Sequence, residues 1–228
     1  MDPALANLIA ASSAFVGTHF ALSHPLRGGL SRAVGDRGFQ ALYSLVALGT
    51  MGWMVIAFRA VPAQAPWWNG AGDLPWLAAT LIMLIASVLL VGSFKGNPAM
   101  PAPGAAALAA KVPHGVFHVT RHPMMWSFTL WSISHLLVAP TPRVIVLTVA
   151  IAVLALAGSH MQDRKKEVQM GAAWSDWEAK TSYWPRLGAL GKAGAGPWIG
   201  GVLLWLGATW LHLHSIGVPA GIWRWAGL

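Results

Sequence analysis

Six long apolar segments separated by polar loops constrain this chain more than any other feature of its sequence. They cover residues 4–22, 39–58, 75–94, 123–139, 144–161 and 197–215. A helix needs about 20 mostly apolar residues to cross the hydrocarbon core of a bilayer. Inside lipid each segment must satisfy its own backbone hydrogen bonds, which favours the α-helix. The sequence therefore predicts an all-α fold, a single polytopic membrane bundle of about six helices over residues 1–228.

Charged residues are scarce, at 10% of the chain against 56% hydrophobic residues, whereas a soluble domain has about 25% charged residues. Most of the Lys and Arg behind the net charge of +8 lie in loops 23–38, 95–121 and 162–196. Cytoplasmic loops of membrane proteins carry such an excess. We therefore expect membrane lipid as a partner and no nucleic acid. These loops should face the cytoplasm of a bacterial inner membrane, with both termini outside.

Two of the basic loops carry their own structural signals. Residues 162–186 combine charged residues with Trp174 and Trp177 at helical spacing, which predicts an interfacial helix along the cytoplasmic surface. In the first basic loop, the turn Gly35-Asp36-Arg37-Gly38 should lead the chain into the second segment. We also expect the first segment to be retained, because no basic residue precedes it as in a signal peptide.

Histidine is the sharpest chemical signal in so apolar a chain. Cysteine is absent, which excludes disulfides and thiolate metal sites. Imidazole is the commonest metal ligand, and an ionisable side chain within a span usually faces a partner, a cavity or a ligand. Four histidines qualify by position: His19, His122, His135 and His212. The strongest is His135, which lies in WSISHLL without a nearby charge; a hydrogen bond to a neighbouring helix remains its alternative explanation.

The motif Arg121-His122-Pro123 opens the fourth segment. Proline disfavours the α conformation in the residue before it and is well tolerated at the first helical position, so we expect His122 to cap this helix. Its imidazole and the Arg121 guanidinium would then lie at the positive end of the helix, where a carboxylate or propionate binds well. These two residues and Arg27, which lies on the same side, are candidate cofactor-binding residues.

Motifs along nearly the whole chain resemble those of the NnrU family of bacterial membrane proteins. In order they are His19-Phe20-x-x-Ser23, Gly35-Asp36-Arg37-Gly38-Phe39, Thr120-Arg121-His122-Pro123, Leu130-Trp131-x-x-x-His135-Leu136, Asp163-Arg164, Trp174, Thr181-Ser182 and His212 before Gly217-Val218. The same family includes zeta-carotene isomerase, which looks to use haem b to convert a cis double bond to trans, and its bacterial members are tied to denitrification. The resemblance implies haem b as cofactor, and a lipophilic polyene or a redox process as its target.

The same resemblance places the iron ligands on His19 and His135, with Trp131 as a further cofactor contact. Where the isomerase has a cysteine three residues before its second ligand, this chain has Ser132, which excludes thiolate ligation. His135 lies thirteen residues after His122, about 20 Å along a helix, and therefore near the outer face, opposite His19. Three arrangements stay open: a tilted or re-entrant fourth segment, pairing of His135 with His212, or two haems with His19 and His122 at the inner one.

Two other functions compete with this reading. The Arg121-His122-Pro123 motif, followed about forty residues later by a charged helix and a Pro-Arg pair, also resembles the isoprenylcysteine and phospholipid methyltransferases. The chain departs from their pattern at Met125, Ser127 and Asp163-Arg164. An S-adenosylmethionine-dependent membrane methyltransferase is the alternative enzyme. A non-catalytic assembly factor for respiratory reductases is the alternative without chemistry.

Overall fold

The computed structural model describes residues 2–100 and 104–227, and the regular structure in these residues is entirely helical. Their eight α-helices are α1 (Pro3–Ser23), α2 (Arg27–Ala60), α3 (Asp73–Ser93), α4 (Ala105–Ala109), α5 (Pro123–Val138), α6 (Pro142–Met170), α7 (Ala172–Lys180) and α8 (Ala195–Ile216). Three short 3-10 helices, Gly115–His118, Leu187–Ala193 and Gly221–Trp225, lie between or after them. The predicted all-α class is confirmed.

Each of the six predicted segments is a helix, and five of these helices are long and apolar enough to cross a membrane: α1, α2, α3, α6 and α8. The exception is α5, which has 16 residues and a length of about 24 Å, less than the roughly 30 Å of a hydrocarbon core. Prolines bound it, Pro123 at its first position and Pro142 just after it. The chain before it is also buried, with Val116 and Phe117 each 1% exposed.

The six long helices form a row in the spatial order α2, α1, α6, α5, α3, α8, in which each packs mainly against its neighbours. Along the helix axes, the bundle has one end at which α1 and α3 end and α2, α5 and α8 begin. We call this the basic end, because the Lys- and Arg-rich loops lie there, and we call the opposite end the far end. The bundle agrees with the predicted membrane architecture, whereas its sidedness stays a prediction.

The polar stretch after the fifth segment differs from its prediction. Residues 162–170 were expected in an interfacial helix, but they continue α6. Gln, Lys and Glu are good helix formers, so the helix persists until Gly171, whose φ of 53° suits glycine. A separate short helix, α7, begins only after Gly171, and its position at a membrane surface stays a prediction. Its Trp174 and Trp177 are 0% and 2% exposed in a core at the basic end, so they pack against protein.

The turn predicted at Gly35 is present as an interruption inside α2. Gly35 has φ 73° and ψ 165°, outside the helical region, and the helix resumes beyond it. A second core, formed by α1, α2 and α6, extends towards the far end around Leu8, Phe15 and Met54. Together the two cores hold α6 against α1 on one side and α5 on the other, which positions the sites described next.

Candidate functional site

The far end of the bundle brings His135 of α5 beside His212 of α8. The centroids of the two imidazole rings are 6.5 Å apart. Nδ1 of His135 donates to the carbonyl oxygen of Trp131 at 2.8 Å, and Nδ1 of His212 donates to that of Val218 at 3.1 Å. A carbonyl only accepts, so each Nδ1 carries a proton, and Nε2 is the nitrogen of each ring whose lone pair can take a ligand. A hydrogen bond from one ring nitrogen to a backbone carbonyl is typical of histidines whose other nitrogen binds a metal.

The spacing of the His135 and His212 rings suits two imidazoles that share one metal centre. A metal–nitrogen bond of about 2.0 Å on each side, with the ring radii added, separates the centroids by about 6 Å. A structural zinc ion takes four protein ligands, but among the described residues no group of three or more His, Cys, Asp or Glu is arranged to hold a metal ion. Two histidines alone would be enough only for a cofactor that supplies the other ligands of its metal, such as haem.

Two neighbours on α5 shape this histidine pair. The ring of Trp131 lies 4.2 Å from that of His135, centroid to centroid, so the expected contact between them is present. Ser132 is 1% exposed, and its hydroxyl donates to the carbonyl oxygen of Phe128 at 3.0 Å. The side chain at the position of the isomerase's cysteine is thus engaged by its own helix.

His19, the other ligand implied by the family resemblance, lies elsewhere. It lines a cavity of about 390 Å³ between α1, α2, α5 and α6. Its Nδ1 donates to the carbonyl oxygen of Phe15 at 2.7 Å, and its ring meets the edge of Tyr43. The cavity reaches Phe128 of α5, and His135 follows seven residues later, about 10 Å further along the helix. This arrangement brings His135 to His212 and keeps His19 apart from both; the ligand role of each stays a prediction.

Arg121 and His122 form a buried charge network with Asp163 of α6. Nε and Nη2 of Arg121 donate to Oδ2 of Asp163 at 3.0 and 2.6 Å, while Nε2 of His122 donates to Oδ1 at 2.7 Å. Arg121 also pairs with Glu178 of α7 at 3.0 Å. His122 is 2% exposed and takes the N-cap position of α5, as expected, although its side chain makes no capping bond. The anionic groups that Arg121 and His122 contact are therefore carboxylates of the protein itself.

Tyr183 links this charge network to both α5 and α6. Its carbonyl oxygen accepts from the Thr120 hydroxyl and the Trp126 indole, each at 2.8 Å. Its phenol donates to the carbonyl oxygen of Leu156 in α6 at 2.8 Å. Burial raises the pKa of the nearby Glu178 above its ordinary value, and the Asp163 and Glu167 charges add to this, while Arg121 opposes it. The cluster therefore clamps the start of α5 to the end of α6.

A second cavity of about 660 Å³ adjoins the first at the basic end. The two share four lining residues, Ser23, Tyr43, Gln162 and Lys165. Arg27, expected to contact a cofactor, lines this second cavity, and its guanidinium lies over the Phe39 ring at 5.1 Å. The cofactor-binding roles of Arg27, Arg121 and His122 stay predictions, and all three lie at the end opposite the histidine pair.

Sequence reasoning missed the partner of Arg121 and His122. A signal was present, because Asp163 lies just after the end of one apolar segment and Arg121-His122 begins another at the same predicted depth. Opposite charges at one depth often pair. The adjoining cavities gave no sequence signal, since their lining comes from five separate parts of the chain.

A family model described as NnrU protein matches residues 7–220, which is nearly the whole chain. No curated protein and no solved structure matches it.

Proposed function

The chain belongs to the NnrU family, and from that premise we propose that it is an integral membrane protein that binds haem b through His135 and His212. The observation that carries this proposal is the pair of rings 6.5 Å apart. Each ring has Nδ1 fixed by a backbone carbonyl. The protein would have to supply only two iron ligands, the Nε2 atoms of these two histidines, because a porphyrin brings the remaining ligands.

In this proposal the protein supplies ligation and the shape of the pocket. The Trp131 ring packs against His135 and would hold its orientation, while the Val218 carbonyl would do the same for His212. Haem, when bound, would supply an iron centre able to act on a double bond of a lipophilic polyene or to exchange an electron. The family resemblance supports these two uses, a cis–trans isomerase and a denitrification-linked redox protein.

The methyltransferase alternative has no comparable support. It needs Arg121 and His122 to contact the carboxylate or phosphate of a donor or substrate. Both side chains instead have protein partners, Asp163 for each and Glu178 in addition for Arg121. A donor there would first have to break a buried ion pair, which costs several kcal/mol, roughly 3–5.

Visible spectroscopy of the purified protein tests the proposal. We expect a Soret band, iron by elemental analysis, and the spectrum of a six-coordinate low-spin haem. His135→Ala and His212→Ala should each lose that form. His19→Ala should retain it, and so should His214→Ala, which removes a nearby histidine of α8 that is bonded to Trp210.

Two results would count against the proposal in different ways. A wild-type protein with neither Soret band nor iron would exclude haem binding. A spectrum that changes in His19→Ala but not in His212→Ala would keep haem and refute the ligand pair.

A further inference from the structure

We propose that the two adjoining cavities at the basic end form one binding site for a lipophilic anion, whose carboxylate or phosphate head contacts Lys166, Lys165 and Arg27. Its apolar chain would extend between α1, α2, α5 and α6. The site lies at the opposite end of the bundle from His135 and His212. The proposal goes beyond haem binding and does not depend on it.

The charged part of this site is one-sided. Three cationic residues line the second cavity, Arg27, Lys165 and Lys166, and no Asp or Glu lines either cavity. Within the described residues none of the three has a carboxylate at ion-pair distance. Three neighbouring positive charges repel one another, and a bound anion would remove this repulsion.

Lys166 is the most telling of the three. It is only 6% exposed, and its ammonium has a single hydrogen bond within the described structure, to the carbonyl oxygen of Met100 at 3.5 Å. Burying an ammonium group is costly unless an anion or several acceptors compensate it. An ammonium has three donors, so most of its bonding capacity is left for a ligand.

The first cavity is shaped for an apolar chain. Its lining is mostly hydrocarbon and aromatic, with Phe15, Phe20, Phe128, Ile151 and Leu154 among its residues. Gly158 adds room on the α6 side, where the nearest atom to an added Cβ would be in the Phe20 ring at 3.7 Å.

The two parts of the site together select the class of ligand. A free phosphate ion would use the lysines and leave the apolar cavity empty, while a neutral hydrocarbon would leave Lys166 uncompensated. A volume of about 390 Å³ for the apolar part lies within the range of small-molecule sites. An amphiphile with one anionic head and one apolar chain satisfies both parts.

The test uses the full chain in dodecyl maltoside, with native mass spectrometry for stoichiometry and affinity and thermal unfolding as a second readout. The probes are oleate and oleoyl lysophosphatidate, which carry the two candidate heads, oleyl alcohol as the neutral match, and inorganic phosphate. We expect one equivalent of an anionic amphiphile to bind and to raise Tm, as any ligand of the native state does. The alcohol and the free phosphate should bind at least about tenfold more weakly, the factor expected for a lost charge-assisted contact.

Matched variants locate the site. Lys166→Met should weaken oleate binding about tenfold or more without lowering the ligand-free Tm, because it removes a buried uncompensated charge. Lys180→Met, which replaces an exposed lysine of α7, should bind oleate like the wild type. Gly158→Leu should weaken both amphiphiles by filling the apolar cavity.

Three outcomes would overturn the proposal. The first is oleyl alcohol binding as tightly as oleate, and the second is equal oleate affinity in Lys166→Met and Lys180→Met. The third is loss of a wild-type Soret band in Lys166→Met, because the anion would then be the cofactor itself. His135→Ala should lose the haem spectrum and keep oleate binding, so failure of this proposal and failure of the haem proposal are distinguishable.

Discussion

Removing the charge of Asp163 should destabilise the whole bundle, because this one carboxylate joins α6 to the start of α5. It accepts two hydrogen bonds from Arg121, at 3.0 and 2.6 Å, and one from His122 at 2.7 Å. Its side chain is 5% exposed and that of Arg121 is 13% exposed, so water cannot replace the lost interactions. Asp163→Asn therefore leaves a buried guanidinium with only Glu178 as its counter-ion.

The size of the effect follows from that geometry. Breaking a buried ion pair by removing one partner costs about 3–5 kcal/mol, and the surviving contact with Glu178 favours the lower figure. For a chain of 228 residues, each kcal/mol shifts Tm by about 2–4 °C. We therefore expect Asp163→Asn to lower Tm by about 6–12 °C.

Thermal unfolding in detergent, followed by tryptophan fluorescence at a fixed scan rate, measures this shift. The control is Glu167→Gln on the same helix. Its carboxylate forms an ion pair with the exposed Arg164 at 3.5 Å and lies beside the Glu178 carboxylate, but it makes no ion pair with Arg121 among the described residues, so the change should matter by less than about 1 kcal/mol. A double-mutant cycle adds Arg121→Gln, in whose background Asp163→Asn should cost much less. The reasoning is refuted if Asp163→Asn and Glu167→Gln give the same Tm, or if the cycle shows no coupling.

Two further predictions concern packing and pH. A Cβ on Gly201 of α8 would lie 2.7 Å from the Cα of Val88 in α3, so Gly201→Ala should lower Tm by several degrees, at about 1–3 kcal/mol for overpacking. Gly207→Ala, with open space around the added Cβ, should not lower Tm, and equal Tm values for the two variants would contradict this. Because the folded-state pKa of Glu178 is raised above 4.5, its protonated form contributes stability below pH 4.5, and that stability is lost as the pH rises. The Tm of Glu178→Gln should therefore equal that of the wild type near pH 4.5 and be higher than it at pH 7, even though the variant loses the ion pair with Arg121. A lower Tm of the variant at pH 7 would refute this prediction.

Hydropathy was enough to predict the helices, because each apolar segment must form its own backbone hydrogen bonds whatever its neighbours are. It could not place the end of α6. Residues 162–170 are polar by composition, yet they continue α6, and their side chains face the second cavity and the start of α5 as well as solvent. Gln162 illustrates this, since its amide nitrogen donates to the carbonyl oxygen of Ala99 at 2.8 Å.

The candidate sites were predictable to different degrees. From the predicted depths of the histidines in their helices, pairing of His135 with His212 was one of three arrangements left open. The structure brings these two histidines together. The partner of Arg121 and the basic cavity depend on which helices become neighbours in the row. That order arises from packing between segments that are distant in sequence, and hydropathy gives no information about such packing.

The order of helices in the row also bears on how the chain enters the membrane during synthesis. The helices α1 and α2 can form a hairpin as soon as they are made, but α3 packs against α5 and α8, which are made later. The space between α1 and α3 is filled by α6 and α5, so the bundle cannot close until the ribosome has passed Met170. Until then the α3 residues that are buried in the finished bundle, such as Val88 and Leu89 at 0% exposed, must be sheltered by lipid or by the insertion machinery. A nascent chain arrested before α5 should therefore hold one formed hairpin and one helix without its partners.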